Sequence, residues 1–339
     1  MSAKPPAGSS VTSYDVARRA GVSQSAVSRA FRPGASVAPD TRDRIMAAAR
    51  ALGYAPNAIA SGLITKRSHL AAIIISNLTN LYYPEVLAEL TQRLSARGMR
   101  VLLFTLAAES DVDDMLDQVW RYRVDGAIVA ARLSDAQLAQ FADRGVPVVL
   151  YNRIGDAAPV ASVCFDSGSG ARALVDGLVA AGHRDFAIIG GPADSYVGEE
   201  RVRAAAARLG HHGFDARLER GTFDHASGAL AFRTLAATGL PDAVIAANDV
   251  MAIGAIDSAR RDFGLAVPGD LSVVGFDGVG PATWHAYQVT TVRQPVRRMT
   301  DAAVAMLMER IETPGQTPEQ RLFAGEILTG ASARLKVTA

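Results

Sequence analysis

Residues 23–31, SQSAVSRAF, place four polar side chains on one face of a predicted helix. The apolar residues of this stretch recur at helical spacing and predict a buried face, which leaves the polar ones in solvent. These are Gln24, Ser25, Ser28 and Arg29. Arginine can bind guanine through two hydrogen bonds, glutamine can do the same with adenine, and serine can contact a base or a phosphate. Gln24, Ser25 and Arg29 are therefore candidate readers of DNA bases, and Ser28 is a candidate for either contact.

Two short helices joined by a tight turn must position these side chains. Residues 11–31 predict such a pair, since Ala17 permits close approach of the helices and Gly21 can adopt a left-handed turn conformation. Ser23 follows and can cap the second helix. A helix-turn-helix of this kind inserts its second helix into the major groove of DNA.

A third helix is predicted from about Pro39 to Leu52. Proline suits the first helical position, Asp40 suits the positive end of the helix, and Gly53 can end it. Thr41 and Arg42 lie near its start, where they either contact DNA phosphate or belong to an ordinary helix surface.

Charge is distributed unevenly along the chain. Residues 1–69 contain ten Lys and Arg against three Asp, a net charge of +7, whereas the whole chain of 339 residues carries only +1. The remainder is therefore acidic, with a net charge of −6. A basic segment attached to an acidic body is typical of a nucleic-acid-binding module joined to a second function.

Residues 55–63, APNAIASGL, are helical in pattern but only about two turns long, a length that is marginal for an isolated helix. Gly62 weakens the helix further. This segment is either a linker or a helix that forms on binding, with Leu63 as an apolar wedge in the minor groove.

After Ser68, short apolar runs alternate with amphipathic helices, which indicates parallel sheets covered on both faces. The runs are residues 70–75, 101–106, 126–130, 146–151, 160–165, 186–189, 243–247 and 271–276. One barrel and two doubly wound lobes are both consistent with this order. Ligands of open α/β sheets bind beyond the carboxyl ends of the strands. The loops there supply aromatic, amide, carboxylate and guanidinium groups, a set that suits a polar, hydroxyl-bearing ligand.

An enzymatic function has one motif in its favour. Residues 168–173 match the GxGxxA pattern of dinucleotide-binding proteins, but the next strand, residues 186–189, ends in Gly190-Gly191-Pro192 and lacks the acid that would hold a ribose. We therefore interpret the glycines as contacts between helix and strand. The sequence contains no GxxxxGK[ST], HExxH or GxSxG motif and no Cys/His pattern with zinc spacing. We expect no catalytic residues, metal or cofactor.

Length and composition set the remaining bounds. A chain of 339 residues predicts two or three domains. Its single cysteine, Cys164, excludes an intramolecular disulfide and is predicted to be a buried thiol. Residues 1–10 have no apolar core of a secretory signal, and no apolar run is long enough to span a bilayer. We expect a disordered tail on a cytoplasmic protein that does not enter membranes.

Several motifs together resemble the lactose-repressor (LacI/GalR) family. The run VTSYDVARRAGVSQSAVSRAF, then PDTR, then LGYAPNAIASGL are similar to the family's DNA-binding head, and Asn57, Ala60 and Leu63 match its hinge pattern. In the body, GHR at 182–184, GGP at 190–192, AANDVMAIGAI from Ala246, SVVGFDG from Ser272 and TTVRQP from Thr290 recur. The resemblance extends from Val11 to about residue 335.

This resemblance implies a fold and its boundaries. We expect an all-α helix-turn-helix head and an α/β body of two doubly wound parallel-sheet lobes of periplasmic-binding-protein type. The tail is residues 1–10, the head 11–55, the hinge helix and linker 56–69, and the effector-binding and dimerisation domain 70–335. Its N-lobe takes about 70–164 and 292–322, and its C-lobe about 165–291 and 323–335. The sequence has no heptad-bearing tail after the body, so a homodimer is expected.

The resemblance also implies residue roles. The residues expected to contact DNA are Thr12, Tyr14, Ser23, Gln24, Ser25, Ser28, Arg29, Thr41, Arg42, Asn57, Ala60 and Leu63. The residues expected to line an effector cleft are Tyr82, Tyr83, Asn152, Arg153, Ser195, Arg201, Phe223, Asn248 and Asp277. Ser195 and Val197 occupy positions that choose the ligand. Asp249 is predicted to cap the helix that starts beside it.

The sequence therefore predicts a transcriptional repressor of a catabolic operon that binds a palindromic operator. A small-molecule effector between the lobes, for which a sugar or related polyol is favoured, would change its affinity for DNA. A nucleobase or nucleoside effector is the first alternative, and an NAD-dependent oxidoreductase is the second.

Overall fold

The computed structural model describes residues 11–31, 34–55, 67–76, 78, 80–106, 111–155 and 159–336. These residues fall into two compact units, one within residues 1–68 and one within residues 69–339. The predicted tail, residues 1–10, lies outside the described residues.

The first unit is a small helical head. Its helices are α1 (Ser13–Ala20), α2 (Gln24–Ala30) and α3 (Pro39–Leu52). Gly21 adopts a left-handed conformation with φ 66°, and the backbone N–H of Ala26 donates a hydrogen bond of 3.3 Å to Ser23 Oγ. The predicted turn, the predicted N-cap and the bounds of the third helix are thus confirmed. Val16, Val27 and Ile45 are fully buried where the three helices meet.

The second unit contains two six-stranded sheets. The first sheet has the strand order β11-β5-β4-β3-β1-β2, and all its neighbouring strands are parallel. Its strands are β1 (Leu70–Ser76), β2 (Arg100–Leu106), β3 (Gly126–Ala130), β4 (Val148–Tyr151), β5 (Ala161–Phe165) and β11 (Gln320–Phe323). Its helices are α4 (Tyr82–Ala96), α5 (Val112–Arg121), α6 (Asp135–Asp143) and α11 (Val296–Glu312).

The second sheet has the order β12-β10-β9-β8-β6-β7. Its strands are β6 (Phe186–Gly190), β7 (Ala216–Arg220), β8 (Ala243–Ala246), β9 (Ser272–Asp277), β10 (Thr290–Arg293) and β12 (Glu326–Leu328). Only the edge strand β12 runs antiparallel to its neighbour β10 among these described strands. Helices α7 (Ser167–Ala180), α8 (Tyr196–His211), α9 (His225–Ala237) and α10 (Asp249–Asp262) complete the lobe, with a 3₁₀ turn at Gly280–Thr283.

Each sheet with its helices forms one lobe, called here the N-lobe (first sheet) and the C-lobe (second sheet). Within the described residues, the chain passes between the lobes three times: after β5, between β10 and β11, and between β11 and β12. The prediction of two doubly wound lobes is confirmed, and the barrel is excluded.

The glycines of the GxGxxA motif serve packing. A Cβ at Gly170 would lie 2.9 Å from Val292 Cγ1, so α7 can approach β10 closely only because this position is glycine. Asp166 caps α7 by accepting a hydrogen bond of 2.9 Å from the N–H of Ser169. The interpretation of this motif as a helix–strand contact is therefore confirmed at Gly170.

Candidate functional site

A small polar cavity of about 30 Å³ lies between the N-lobe and the C-lobe. Such a space has room for about two water molecules. Its described lining residues are Ser76, Asn80, Tyr82, Tyr83, Asn152, Arg153, Ser195, Val197, Arg201, Phe223, Asp277 and Gln294. The structure thus brings together every predicted effector residue except Asn248.

A buried ion pair forms the C-lobe wall of this cavity. Arg201 Nη2 donates a hydrogen bond of 2.8 Å to Asp277 Oδ1, and the two side chains are only 3 % and 2 % exposed. Arg201 extends from the first turns of α8, and Asp277 ends β9. Arg201 Nη1 also donates to the carbonyl of Ala247 at 2.5 Å, and its guanidinium lies 4.7 Å from the centre of the Phe276 ring. The arginine is therefore held on several sides, as a fixed positive group must be in a buried site.

A chain of amide and hydroxyl groups connects this ion pair to the N-lobe. Gln294 Nε2 donates to Asp277 Oδ1 at 2.8 Å, and Gln294 Oε1 accepts from Asn152 Nδ2 at 2.9 Å. Asn152 Nδ2 also lies 3.2 Å from Tyr82 Oη, and the hydroxyls of Tyr82 and Tyr151 share a hydrogen bond of 3.2 Å. Burial, with the neighbouring Tyr151, raises the pKa of Tyr82 well above its usual range, so this hydroxyl stays protonated. The polar groups of the two lobes are thus paired with one another in this structure.

Three of the cavity residues have a left-handed backbone although they are not glycine. The φ angles are 54° at Asn152, 63° at Phe223 and 103° at Asp277. Asn152 follows β4, Phe223 lies between β7 and α9, and Asp277 ends β9, so the chain turns at each of them beside the cavity. Backbone strain of this kind persists only where surrounding contacts hold it, and it is concentrated at functional sites.

Two neighbouring residues hold Phe223 in the wall of the cavity. A Cβ at Gly191 would lie 2.3 Å from Phe223 Cζ, so the ring covers this glycine directly. Asn248 Nδ2 donates to the carbonyl of Phe223 at 3.1 Å and thereby holds its backbone. Gly191 and Asn248 both position the aromatic ring.

Asn248 and Asp249 differ from their predicted roles. Asn248 does not line the cavity: its Oδ1 accepts a hydrogen bond of 2.9 Å from the N–H of Met251, which makes it the N-cap of α10. The prediction that Asp249 caps this helix is wrong. Asp249 Oδ2 instead accepts from the N–H groups of Gly278 and Val279, at 2.7 and 2.9 Å, and so fixes the turn after Asp277. Asparagine and aspartate both cap helices well, so their order alone could not separate these roles.

Asp249 is a fully buried carboxyl group. Burial and the nearby charge of Asp277 raise its pKa to about 8, although the two backbone N–H groups oppose this shift. A buried carboxyl favours its neutral form because its charge has lost water.

The other predicted residues that line the cavity also have defined contacts. Arg153 Nη2 is 3.4 Å from Ser76 Oγ, and Ser195 accepts a hydrogen bond of 3.2 Å from the N–H of Gly198 as the N-cap of α8. The rings of Tyr82 and Tyr83 meet edge to face, with centres 5.6 Å apart. The cavity thus combines aromatic faces with several fixed donors and acceptors.

Gln294, which joins both halves of the hydrogen-bond chain, was not among the predicted site residues. Gln294 directly follows β10, whose sequence TTVR is too polar to stand out as an apolar run. The signal that could have found it is its position after a strand, since ligand groups gather at the carboxyl ends of strands. Ser76, which ends β1, and Asn80, in the loop after it, were also not predicted.

The helical head exposes five of the nine described residues that were predicted to contact DNA. Thr12, Ser23, Ser25 and Arg29 are exposed, and Tyr14 is 70 % exposed. Gln24, Ser28 and Thr41 are half-buried. Gln24 Nε2 lies 3.2 Å from Ser13 Oγ, so this amide also connects α2 to the start of α1.

Arg42 makes two hydrogen bonds within the head. Its Nη1 donates to the carbonyl of Ala30 at 2.6 Å and its Nη2 to the carbonyl of Ala35 at 2.9 Å. The last carbonyls of a helix have no partner within it, and Arg42 supplies one at the end of α2. Arg42 therefore stabilises the end of α2, and its contact with DNA phosphate stays a prediction. The predicted hinge residues Asn57, Ala60 and Leu63 lie outside the described residues.

Within the described parts of the chain, no helix is long and apolar enough to cross a membrane, and no group of three or more His, Cys, Asp and Glu could hold a metal ion. A helix-turn-helix unit in one chain with a two-lobed α/β body and a polar cavity between its lobes defines a ligand-responsive DNA-binding regulator.

Comparisons with known proteins agree with this class. Residues 12–57 match the family described as bacterial regulatory proteins, lacI family, and residues 175–333 match a periplasmic binding protein-like domain. The HTH-type transcriptional regulator GalS of Salmonella typhimurium is 32 % identical over 305 residues, which are 88 % of this chain and 89 % of GalS. The chain belongs to the lacI family of sequence-specific DNA-binding transcriptional regulators, and it is a regulator rather than an enzyme.

Two solved structures resemble the whole chain. The Lac repressor dimer bound to operator and the anti-inducer ONPF has a TM-score of 0.86 at 27 % identity, covering 95 % of this chain and 98 % of its own. The complex of the transcriptional regulator CelR with cellobiose has a TM-score of 0.72 at 29 % identity, covering 96 % of this chain and 100 % of its own.

Proposed function

We propose that the protein is a homodimeric repressor whose affinity for a palindromic operator changes when a sugar or related polyol binds between the lobes. The observation that carries this proposal is the interlobe cavity, in which residues from both lobes meet in one network of donors and acceptors. The similar Lac repressor structure is a dimer on its operator, and the similar CelR structure holds cellobiose.

The chemistry of the cavity favours a hydroxyl-bearing effector. A sugar hydroxyl both donates and accepts hydrogen bonds, and the cavity offers the carboxylate of Asp277, the guanidinium of Arg201 and the amides of Asn152 and Gln294. The ring of Phe223 is available for the apolar face of a sugar. These groups also form hydrogen bonds with one another in this structure, so an incoming hydroxyl replaces one hydrogen bond with another.

Because the cavity is small, binding of an effector must change the arrangement of the two lobes. A space of about 30 Å³ is far smaller than a ligand pocket of about 300–1,000 Å³. Binding therefore requires the lobes to move apart or rotate, which breaks the contact between Asn152 and Gln294. The effector can change DNA affinity only by its preference for one lobe arrangement, typically by about 1–3 kcal/mol.

The segment at residues 56–69 is the proposed link between lobe geometry and DNA. Asn57, Ala60 and Leu63 match the family's hinge pattern, and a helix of this length needs outside support to form. In the proposed dimer, the two hinge segments form or lose their helices as the lobes reorient. Leu63 would then enter or leave the minor groove.

DNA reading can be tested with a matched pair of arginine variants. Arg29 is exposed on α2, and Arg19 is exposed in the last turn of α1. Arg29→Ala should weaken operator binding by about 1–3 kcal/mol, while binding to competitor DNA changes little. Arg19→Ala should affect both DNAs alike. Gel shifts at several salt concentrations measure both affinities. A wild-type protein that preferred no operator over competitor DNA would contradict the proposal. If Arg29→Ala lost equal affinity for operator and competitor DNA, Arg29 would not be a base reader.

The effector class can be tested by thermal shift with a panel of sugars, polyols, nucleobases and nucleosides. A ligand at 100 times its dissociation constant should add about 2.7 kcal/mol to the stability of the protein. A shift with a sugar or polyol, together with a changed operator affinity, is the expected result. A shift with nucleobases or nucleosides alone would replace the sugar proposal by the purine or pyrimidine alternative.

A further inference from the structure

A second cavity lies beside the central one and is several times larger, at about 170 Å³. We call it the flanking cavity. Its N-lobe wall includes Arg132, which follows β3, and Arg153 and Ile154, which follow β4. Its C-lobe wall includes Asp194, Ser195 and Tyr196, where the loop after β6 enters α8. These are again carboxyl ends of parallel strands, where ligands of such sheets bind.

The two cavities are adjacent. Arg153 and Ser195 line both of them, so a ligand in the central cavity has the flanking cavity directly next to it. The central cavity, with room for about two water molecules, must widen before a sugar ring can enter it, whereas the flanking cavity already has more space. A ligand longer than one ring can therefore use space that a single ring leaves empty.

The chemistry of the flanking cavity resembles that of the central one. Arg132 and Arg153 bring hydrogen-bond donors from one lobe, and Asp194 brings an acceptor from the other. Tyr196 and Ile154 add an aromatic and an apolar surface. A ligand that carried only negative charge would meet the carboxylate of Asp194, whereas a hydroxyl-rich ring can donate to it and accept from the arginines.

We propose that the flanking cavity is a second sugar subsite, and that the effector is a disaccharide or longer glycoside with one ring in each cavity. This inference rests on the proposed function, because it takes the central cavity as the first sugar subsite. The second ring contacts Arg132 of the N-lobe and Tyr196 of the C-lobe, so it also bridges the lobes. A glycoside therefore fixes the lobe arrangement more firmly than one of its constituent monosaccharides.

Isothermal titration of the full-length protein tests the inference with named sugars. The probes are glucose, galactose and mannose, set against the disaccharides maltose, cellobiose, lactose, melibiose and trehalose. The best disaccharide should bind about tenfold or more tightly than its constituent monosaccharides, because the second ring adds hydrogen bonds and buried surface. Uridine and adenosine serve as probes of the alternative effector class.

Variants locate the second ring. Tyr196→Ala and Asp194→Asn should each reduce the advantage of the disaccharide while leaving monosaccharide binding unchanged. Asp194 is exposed on its loop, which makes its substitution compatible with folding. Tyr122→Ala, at an exposed tyrosine on the surface of the N-lobe, is the matched control and should change neither affinity.

The possible outcomes separate the second subsite from the proposed function. A monosaccharide that binds as tightly as every disaccharide would overturn the second subsite and leave the sugar-responsive function standing. A disaccharide advantage that survives both cavity variants would also overturn the assignment to this cavity. If no sugar of either length bound, or only the nucleosides did, the proposed function itself would fail, and the inference with it.

Discussion

Asp277→Asn removes one charge from the buried ion pair and little else. Asparagine has nearly the shape of aspartate, keeps an oxygen that can accept from Arg201 and Gln294, and tolerates the left-handed backbone at this position. Alanine would add strain at φ 103° and leave a space, so the asparagine variant isolates the charge.

The expected cost follows from burial. Removing one partner of a buried ion pair typically costs about 3–5 kcal/mol, because the other charge is left unpaired away from water. Arg201 is 3 % exposed and would be that unpaired charge. An exposed pair contributes only about 0–1 kcal/mol.

The C-lobe contains a control of matched geometry. Arg217 Nη2 lies 2.8 Å from Asp185 Oδ1, the same distance as in the buried pair, but these side chains are 29 % and 55 % exposed. Asp185→Asn should therefore lower the free energy of unfolding by about 1 kcal/mol or less. The difference between the two variants should be about 2 kcal/mol or more.

Urea denaturation of the full-length protein, followed by far-ultraviolet circular dichroism without ligand, measures both variants against the wild type. The unfolding midpoint of Asp277→Asn should fall well below that of Asp185→Asn. Equal midpoints would refute the reasoning, because they would mean that burial of the Arg201–Asp277 pair does not set its energy.

Two other perturbations have defined outcomes. Gly191→Ala should abolish sugar binding in titration calorimetry, because its Cβ would lie 2.3 Å from Phe223 Cζ and displace the ring. The control is Gly210→Ala in α8, whose Cβ would have no neighbouring atom within 4 Å and which should leave binding intact. Unchanged binding by Gly191→Ala would contradict the role given to Phe223. Burial and the charge of Asp277 raise the pKa of Asp249 to about 8 in the folded protein. Between pH 4 and pH 8 the folded protein therefore binds one more proton than the unfolded chain. The urea midpoint of the wild type should fall as pH rises through this range. Asp249→Asn cannot titrate and should flatten this dependence; an equally steep fall in the variant would assign it to other groups.

Local rules predicted the head and the order of the body from sequence. Gly21 and Ser23 have distinct backbone preferences, so the turn and the cap could be placed without knowledge of any distant residue. Buried parallel strands are apolar throughout, which made most strands of the two sheets visible. The strands β10 and β11 lie in the same sheets but carry polar residues, so TTVR and QRLF were not recognised as strands.

The sequence predicted which loops form the site but not which side chains contact one another there. The carboxyl-end rule directed attention to the loops that contain Asn152, Arg201 and Asp277. It could not tell that Asn248 points away to cap α10, or that Gln294 connects the lobes, because both facts depend on which distant groups meet. For the same reason, the hydrogen bonds of Arg42 to two carbonyls of the head could not be foreseen, and the sequence offered only a phosphate contact or a helix surface for this residue.

The left-handed backbones of Asn152, Phe223 and Asp277 have a consequence for engineering a sensor with new ligand preference. Valine, isoleucine and threonine are disfavoured at such φ angles, so many members of a randomised library at these three positions would be lost to misfolding rather than tested for recognition. Val197 and Tyr196 line the cavities without a positive φ. Diversity placed at these positions would sample ligand chemistry on an intact scaffold.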